Sequence, residues 1–139
     1  MSLNQMEIDY LAGQLLGRLA TVQPDGTLQN SPVGFRYNPA TGTIDVTGYR
    51  MAASRKFRNV AANGRVAFVV DDLASTDPWR VRCLEIRGVA EALDPALSPA
   101  AGVASPTIRI HPRRVISFGL DTTDVDPHRL VTHKRTIPG

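Results

Sequence analysis

The chain has 139 residues, 42% of them apolar and 21% charged, with a net charge of +3. That is one domain's worth of ordinary globular composition, which excludes a disordered chain, and at this length folding hides roughly two thirds of the unfolded surface. The single cysteine, Cys83, excludes an intrachain disulfide and a cysteine-built zinc site. The longest aliphatic-aromatic run, Val66 to Val70, is far too short to span a bilayer. Glu7 and Asp9 stand where a signal peptide would carry basic and then apolar residues. The expectation is a soluble protein of a reducing compartment, the cytoplasm.

In chain order, Asn4 with Glu7 forms a capping pair, and Ile8, Leu11, Leu15 and Leu16 follow at helical spacing, which predicts a helix over 5–16 ended by Gly17. Leu19 to Gln23 reads as a strand before a Pro24-Asp25-Gly26 turn. Leu28 to Tyr37 is a second strand, and Thr43 to Thr47, after the Asn38–Gly42 turn, is a third with alternating Ile44 and Val46. A second helix is predicted over 53–62, capped by Ser54 and stopped by Asn63-Gly64, with Phe57, Val60 and Ala61 as its apolar stripe. Arg65 to Asp71 reads as a buried strand, 73–78 as a loop, and Trp79 to Leu93 as a long strand with a bulge at Gly88. Pro95, Pro99 and Pro106 make 94–106 a connector. Thr107–Ile110 and Val115–Leu120 close the sheet, and 122–139 is a polar tail read as a mobile arm. The whole is a single domain, 1–139, with its core at 8–121. Six or seven strands, two short helices and no βαβ alternation predict a mainly β, antiparallel barrel.

The charge distribution singles out one segment. No acidic residue lies between Asp45 and Asp71, yet Arg50, Arg55, Lys56, Arg58 and Arg65 all do. Within it, a strand ends at Thr47, a loop carries Tyr49, and a helix opens with Ser54-Arg55-Lys56. Unpaired N–H groups and a positive dipole end at a helix start, joined by a hydroxyl, a guanidinium and an ammonium, make a phosphate receptor. The same residues also suit a capped helix start facing solvent, and the spacing alone leaves both readings open.

Several segments together resemble the pyridoxamine 5′-phosphate oxidase-like family. Thr47-Gly48-Tyr49 with Ser54-Arg55-Lys56 is similar to its phosphate-binding stretch, and Asn63-Gly64-Arg65-Val66-Ala67 to the segment that follows. Ile86 to Glu91 is similar to its later strand with a central glycine, and Val115 to Phe118 to its closing strand. Arg65–Asp72 and Asp77–Arg80 resemble the short actinobacterial branch that uses the deazaflavin coenzyme F420 rather than FMN. The resemblance implies a split β-barrel, a homodimer with cofactor sites at its interface, and an oxidoreductase moving a hydride between coenzyme F420 and a conjugated organic substrate. FMN-dependent chemistry on the same fold is the alternative. Ser54, Arg55 and Lys56 would hold the cofactor phosphate, and Thr47 and Tyr49 would line its pocket. Ser31, Pro32 and Val33 would border the ring through backbone groups, while Arg82 and Phe118 would approach from later strands, across the dimer interface. Arg50 and Arg58 add charge for a phosphodiester or polyglutamate tail. The chain lacks most of the C-terminal extension of true pyridoxamine-phosphate oxidases, which argues against vitamin B6 oxidation itself.

Other features are read as structural. Cys83 is a small packing residue on a strand; His111, His128 and His133 lack a helical metal-site spacing; Asp71, Asp72 and Asp77 lack a calcium-loop pattern. Tyr49 is either a proton donor or a packing residue, and Trp79 either a stacking platform or a packing residue. A basic barrel also fits single-stranded nucleic acid, but Phe57 is the one aromatic between Arg50 and Arg65, so base-stacking platforms are missing and no nucleic-acid partner is expected. A non-catalytic cofactor or haem carrier on the same fold stays open, because binding and catalysis would use one pocket.

Overall fold

In the computed structural model, residues 3–121 and 130–139 are described. Among these residues, eight strands and two α-helices run in the order α1 (Gln5–Ala12), β1 (Leu16–Val22), β2 (Leu28–Gly34), β3 (Arg36–Asn38), β4 (Thr43–Val46), α2 (Arg55–Ala62), β5 (Arg65–Thr76), β6 (Trp79–Leu93), β7 (Thr107–Phe118) and β8 (His133–Thr136). The sheet order is β2-β1-β5-β6-β7-β4-β3, with β8 added to β7, and every pairing is antiparallel. Strands β2 and β3 are the two ends of that path, yet only Phe35 separates them in sequence. The sheet must therefore curl until its ends almost meet without pairing, which is a split barrel. Among the described residues no helix is long and apolar enough to cross a membrane.

Alternation builds the interior. Val66, Phe68 and Val70 of β5, Leu84 and Ile86 of β6, Ile108 and Ile110 of β7, and Ile44 and Val46 of β4 all point inward and are buried. Phe68 meets Phe35 edge to face with ring centroids 5.2 Å apart. It also explains Gly17, where an added Cβ would lie 2.4 Å from the Phe68 ring.

Several boundaries differ from expectation. Helix α1 stops at Ala12 with Gly13 as its cap, because Leu16 and Gly17 are taken into the β1 ladder. The predicted strand 28–37 is two strands, broken at Phe35 where the chain passes from one end of the sheet to the other. The predicted loop 73–78 is strand up to Thr76: the long β6 supplies ladder partners as far as Thr76↔Trp79, leaving a two-residue turn. Strand β7 is continuous through Pro112, whose missing N–H falls at a bulge. The expected irregularity at Gly88 is there, but the extra residue is Arg113 on β7: Arg87 faces Arg114 and Gly88 faces Pro112. A Cβ on Gly88 would lie 2.1 Å from the His111 carbonyl oxygen. Gly88→Ala is therefore expected to lower stability by about 1–3 kcal/mol, as overpacking does, measured by denaturant unfolding.

The largest correction concerns the tail. Residues 133–136 pair with β7, Ile137 is buried, and its N–H donates to the Arg113 carbonyl at 2.6 Å. Arg135 grips the buried Glu7 carboxylate of the α1 capping box at 2.7 Å. This end of the chain is docked rather than a free arm. His128 and the rest of the predicted tail up to residue 129 lie outside the described residues.

Candidate functional site

Strand β4 ends at Val46 because Gly48 and a left-handed Arg50 (φ 52°) turn the chain through a short 3-10 turn, Met51–Ala53, into α2. Ser54 caps α2 by accepting from the Phe57 N–H at 3.2 Å, and its own O–H donates to the Met51 carbonyl at 2.6 Å. Its hydroxyl proton is thus committed to the turn. Ser54 shapes the helix start, and the free donors there belong to the backbone and to its neighbours.

Those neighbours are cations. Arg50, Arg55 and Arg58 are exposed and Lys56 is half-buried. None of the four is ion-paired among the described residues; Arg50 only stacks over the Tyr49 ring at 5.4 Å. Tyr49 is 90% exposed, so it does not pack in the core. Helix α2 turns Phe57, Asn59 and Val60 inward. The buried Asn59 amide donates to Thr21 at 3.0 Å and to Gln29 at 3.4 Å, pinning α2 to β1 and β2.

On β2, Ser31 shares the inward face with Gln29 and Val33. The Ser31 Oγ is buried and has no hydrogen-bond partner among the described residues. Such an orphaned hydroxyl is uncommon and carries a desolvation penalty unless something else meets it. Val33 places its side chain in the core, and Pro32 is exposed at the sheet end. Thr47 is exposed beyond β4.

Arg82 and Phe118 are not brought to this cluster within one chain. Arg82 binds both oxygens of Asp72, with its Nε at 2.8 Å, and lies 5.1 Å over the Tyr10 ring. Tyr10 O–H donates to the same carboxylate at 2.9 Å, so the group anchors α1 to the β5–β6 hairpin. The Arg82 hydrogen bond holds Asp72 below the usual carboxylate range against the opposing effect of burial. Phe118 is half-buried opposite Cys83, whereas β4 meets β7 around Ile108, ten residues away and about 30 Å of extended strand. Asp71 pairs with Arg18 at 2.6 Å, so both neighbouring aspartates face guanidinium groups rather than a cation site. Burial and then Asp71 and Glu85 push the Cys83 thiol up, away from reactivity. Trp79 lies 58% exposed at the hairpin tip, outside the core.

The residues that sequence reasoning passed over are Asp45 and Arg109. Asp45 is 5% exposed and accepts from Arg109 Nε and Nη2, both at 3.1 Å, from Asn38 at 3.0 Å and from Thr43 at 2.8 Å. The available signal was a charge set between isoleucines, Ile108-Arg109-Ile110, facing a strand with Asp45 between Ile44 and Val46.

Residues 7–131 match the family described as pyridoxamine 5′-phosphate oxidase. A Streptomyces rimosus protein named 5a,11a-dehydrotetracycline/5a,11a-dehydrooxytetracycline reductase is 48% identical over 127 residues, covering 87% of this chain and 86% of that one. A solved structure titled F420 reductase superposes with a TM-score of 0.52 at 28% identity, covering 70% of this chain and 86% of its own. A conserved hypothetical protein of Mycobacterium tuberculosis superposes with a TM-score of 0.66 at 20% identity, over 91% of this chain and 94% of that one, which speaks to fold alone. With most of its length matched and a relative at this identity, the chain belongs to the pyridoxamine 5′-phosphate oxidase family.

Proposed function

We propose that the protein is an oxidoreductase that moves a hydride between the deazaflavin coenzyme F420 and a conjugated organic substrate. The observation that carries this reading is the set of cations opening α2, unpaired among the described residues, on a helix pinned to the strand that holds the buried Ser31 hydroxyl. The names of the 48% identical reductase and the 28% identical F420 reductase support the reaction type and the deazaflavin respectively. When bound, the cofactor supplies the hydride-carrying carbon. Arg55, Lys56 and the first N–H groups of α2 hold its phosphate, while Arg50 and Arg58 extend the positive field along an anionic tail. Ser31 meets a polar atom of the ring, the backbone of Pro32 and Val33 borders it, and Thr47 and Tyr49 line the way to the phosphate.

The working unit is a homodimer. Phe118 can reach a cofactor at the α2 cluster only from a second chain, and Leu15, Leu16 and Leu28 leave exposed apolar surface on and beside β1 and β2. Sedimentation at micromolar concentration is expected to give twice the chain mass; a monomer would remove the interfacial pocket.

The cofactor assignment is checked by fluorescence titration of the apo protein with F420 and with FMN, expecting F420 to bind at least about tenfold tighter, a difference of about 1.4 kcal/mol. Tighter FMN binding moves the assignment to a flavin oxidoreductase of the same fold, and absence of binding by both refutes it. Reduced F420 is then mixed with a panel of conjugated acceptors. Tight binding with no reoxidation by any of them would make the protein a carrier.

A further inference from the structure

Both faces of β4 are buried. Ile44 and Val46 face the core, but Thr43 and Asp45, on the opposite face, are only 1% and 5% exposed. A cavity of about 550 Å³ lies over that second face, within the range of small-molecule sites. Its walls include Arg36, Asn38, Asp45, Thr47 and Arg109, roofed by the connector at 102–105.

The charges in this cavity do not cancel. Asp45 accepts four hydrogen bonds, which fills the capacity of a carboxylate. Burial pushes its acidity one way, but its bonds from Arg109, Asn38 and Thr43 win and hold it ionised. It therefore has no lone pair left to act as a base or to ligate a cation. Arg109 uses Nε and Nη2 on Asp45, so Nη1 keeps its donors, with no hydrogen bond among the described residues. Its other register neighbour, Glu91, is turned to His111 at 2.6 Å. Arg36, in register with Asp45 from β3, lines the same cavity and is not ion-paired among the described residues. In the lining, one ionised carboxylate and two guanidinium groups leave one positive charge in excess, with Glu91 acting on Arg109 from outside it. The Asp45 fork holds Arg109 in place before any ligand arrives, so its free donors are preorganised.

We propose that this cavity is the substrate site and that it takes a small conjugated organic anion, whose carboxylate or enolate oxygen is held by Arg109 Nη1 and Arg36. The inference rests on the oxidoreductase reading. Thr47 both lines the cavity and begins the turn that leads to the α2 cations, so the two sites share a boundary.

The test is an ¹⁵N NMR titration of the full chain with 2-naphthoate as the carboxylate probe, oxytetracycline as the enolate probe and 2-naphthamide as the uncharged control. At least one anion is expected to shift the Asn38, Thr47 and Gly102 amides saturably, with the amide control about tenfold weaker, as loss of a charged hydrogen bond predicts. Which anion binds identifies the oxygen. Arg36→Ala, at an exposed side chain with no ion pair among the described residues, is expected to weaken the anion about tenfold. Arg109→Lys keeps a charge for Asp45 while removing the fork, and is expected to weaken it comparably. No saturable shift, equal binding of 2-naphthamide, indifference to both variants, or displacement of the probe by F420 or FMN would each overturn the proposal. If instead the cofactor fails to bind while the anion still does, the oxidoreductase reading fails and the anion site stands.

Discussion

Replacing Arg55 and Lys56 together by alanine is expected to weaken cofactor binding by roughly a hundredfold to ten-thousandfold, since each charge-assisted contact is worth about 1.5–3 kcal/mol. The fold should tolerate the change. Neither side chain takes part in an ion pair among the described residues, and alanine is the stronger helix former. Thermal midpoints of variant and parent should therefore agree closely while titration curves separate, and added salt should narrow the gap. Ser54→Ala is a useful contrast. It removes the cap from α2 and should lower stability by about 1 kcal/mol, touching affinity only through the helix start. Unchanged affinity in the double variant would place the phosphate elsewhere.

Asp45→Asn is expected to lower stability by about 3–5 kcal/mol at neutral pH, because it strands the largely buried Arg109 guanidinium without its counter-charge. The effect should depend on pH. Burial raises the Asp45 pKa, but the hydrogen bonds from Arg109, Asn38 and Thr43 and the Arg109 charge outweigh it, so the folded value lies below the ordinary 3.8. A depressed carboxylate contributes stability above its unfolded pKa and loses it as the pH falls through the folded one. The difference between parent and variant in urea unfolding should thus be full at neutral pH and shrink below about pH 4. An equal difference at both ends would mean that the charge of Asp45 is not what matters. Asp72, held low by Arg82, adds to the parent's acid lability in the same direction.

The capping box of Asn4 and Glu7 forms as the pattern indicates, with both reciprocal bonds at 2.9 Å. The same Glu7 also receives Arg135 from the far end of the chain, a contact separated by 128 positions that no local pattern contains. The run His133-Lys134-Arg135-Thr136 has no apolar alternation, so it reads as solvated tail; it becomes a strand because β7 has a free edge beyond its pairing with β4. Asp45 and Arg109 looked like ordinary polar positions of half-buried strands. Residues 102–105 of the connector line the cavity over their face, a placement that no local pattern contains.

What the chain's order of residues determined by itself was local: period-two strands, two capped helices, glycines at turns, and a stretch of cations without acids. These depend on near neighbours and on the geometry of the backbone, so they survive without knowledge of the fold. What the tertiary structure decided was which charges are already matched. Arg82 is taken by Asp72, Arg109 is half taken by Asp45, and Arg36, Arg55, Lys56 and Arg58 are left without counter-ions among the described residues. Coulombic pairing acts between groups brought within a few ångströms by the sheet, however far apart they are in sequence, and it is that pairing which separates structural arginines from those free to hold a ligand.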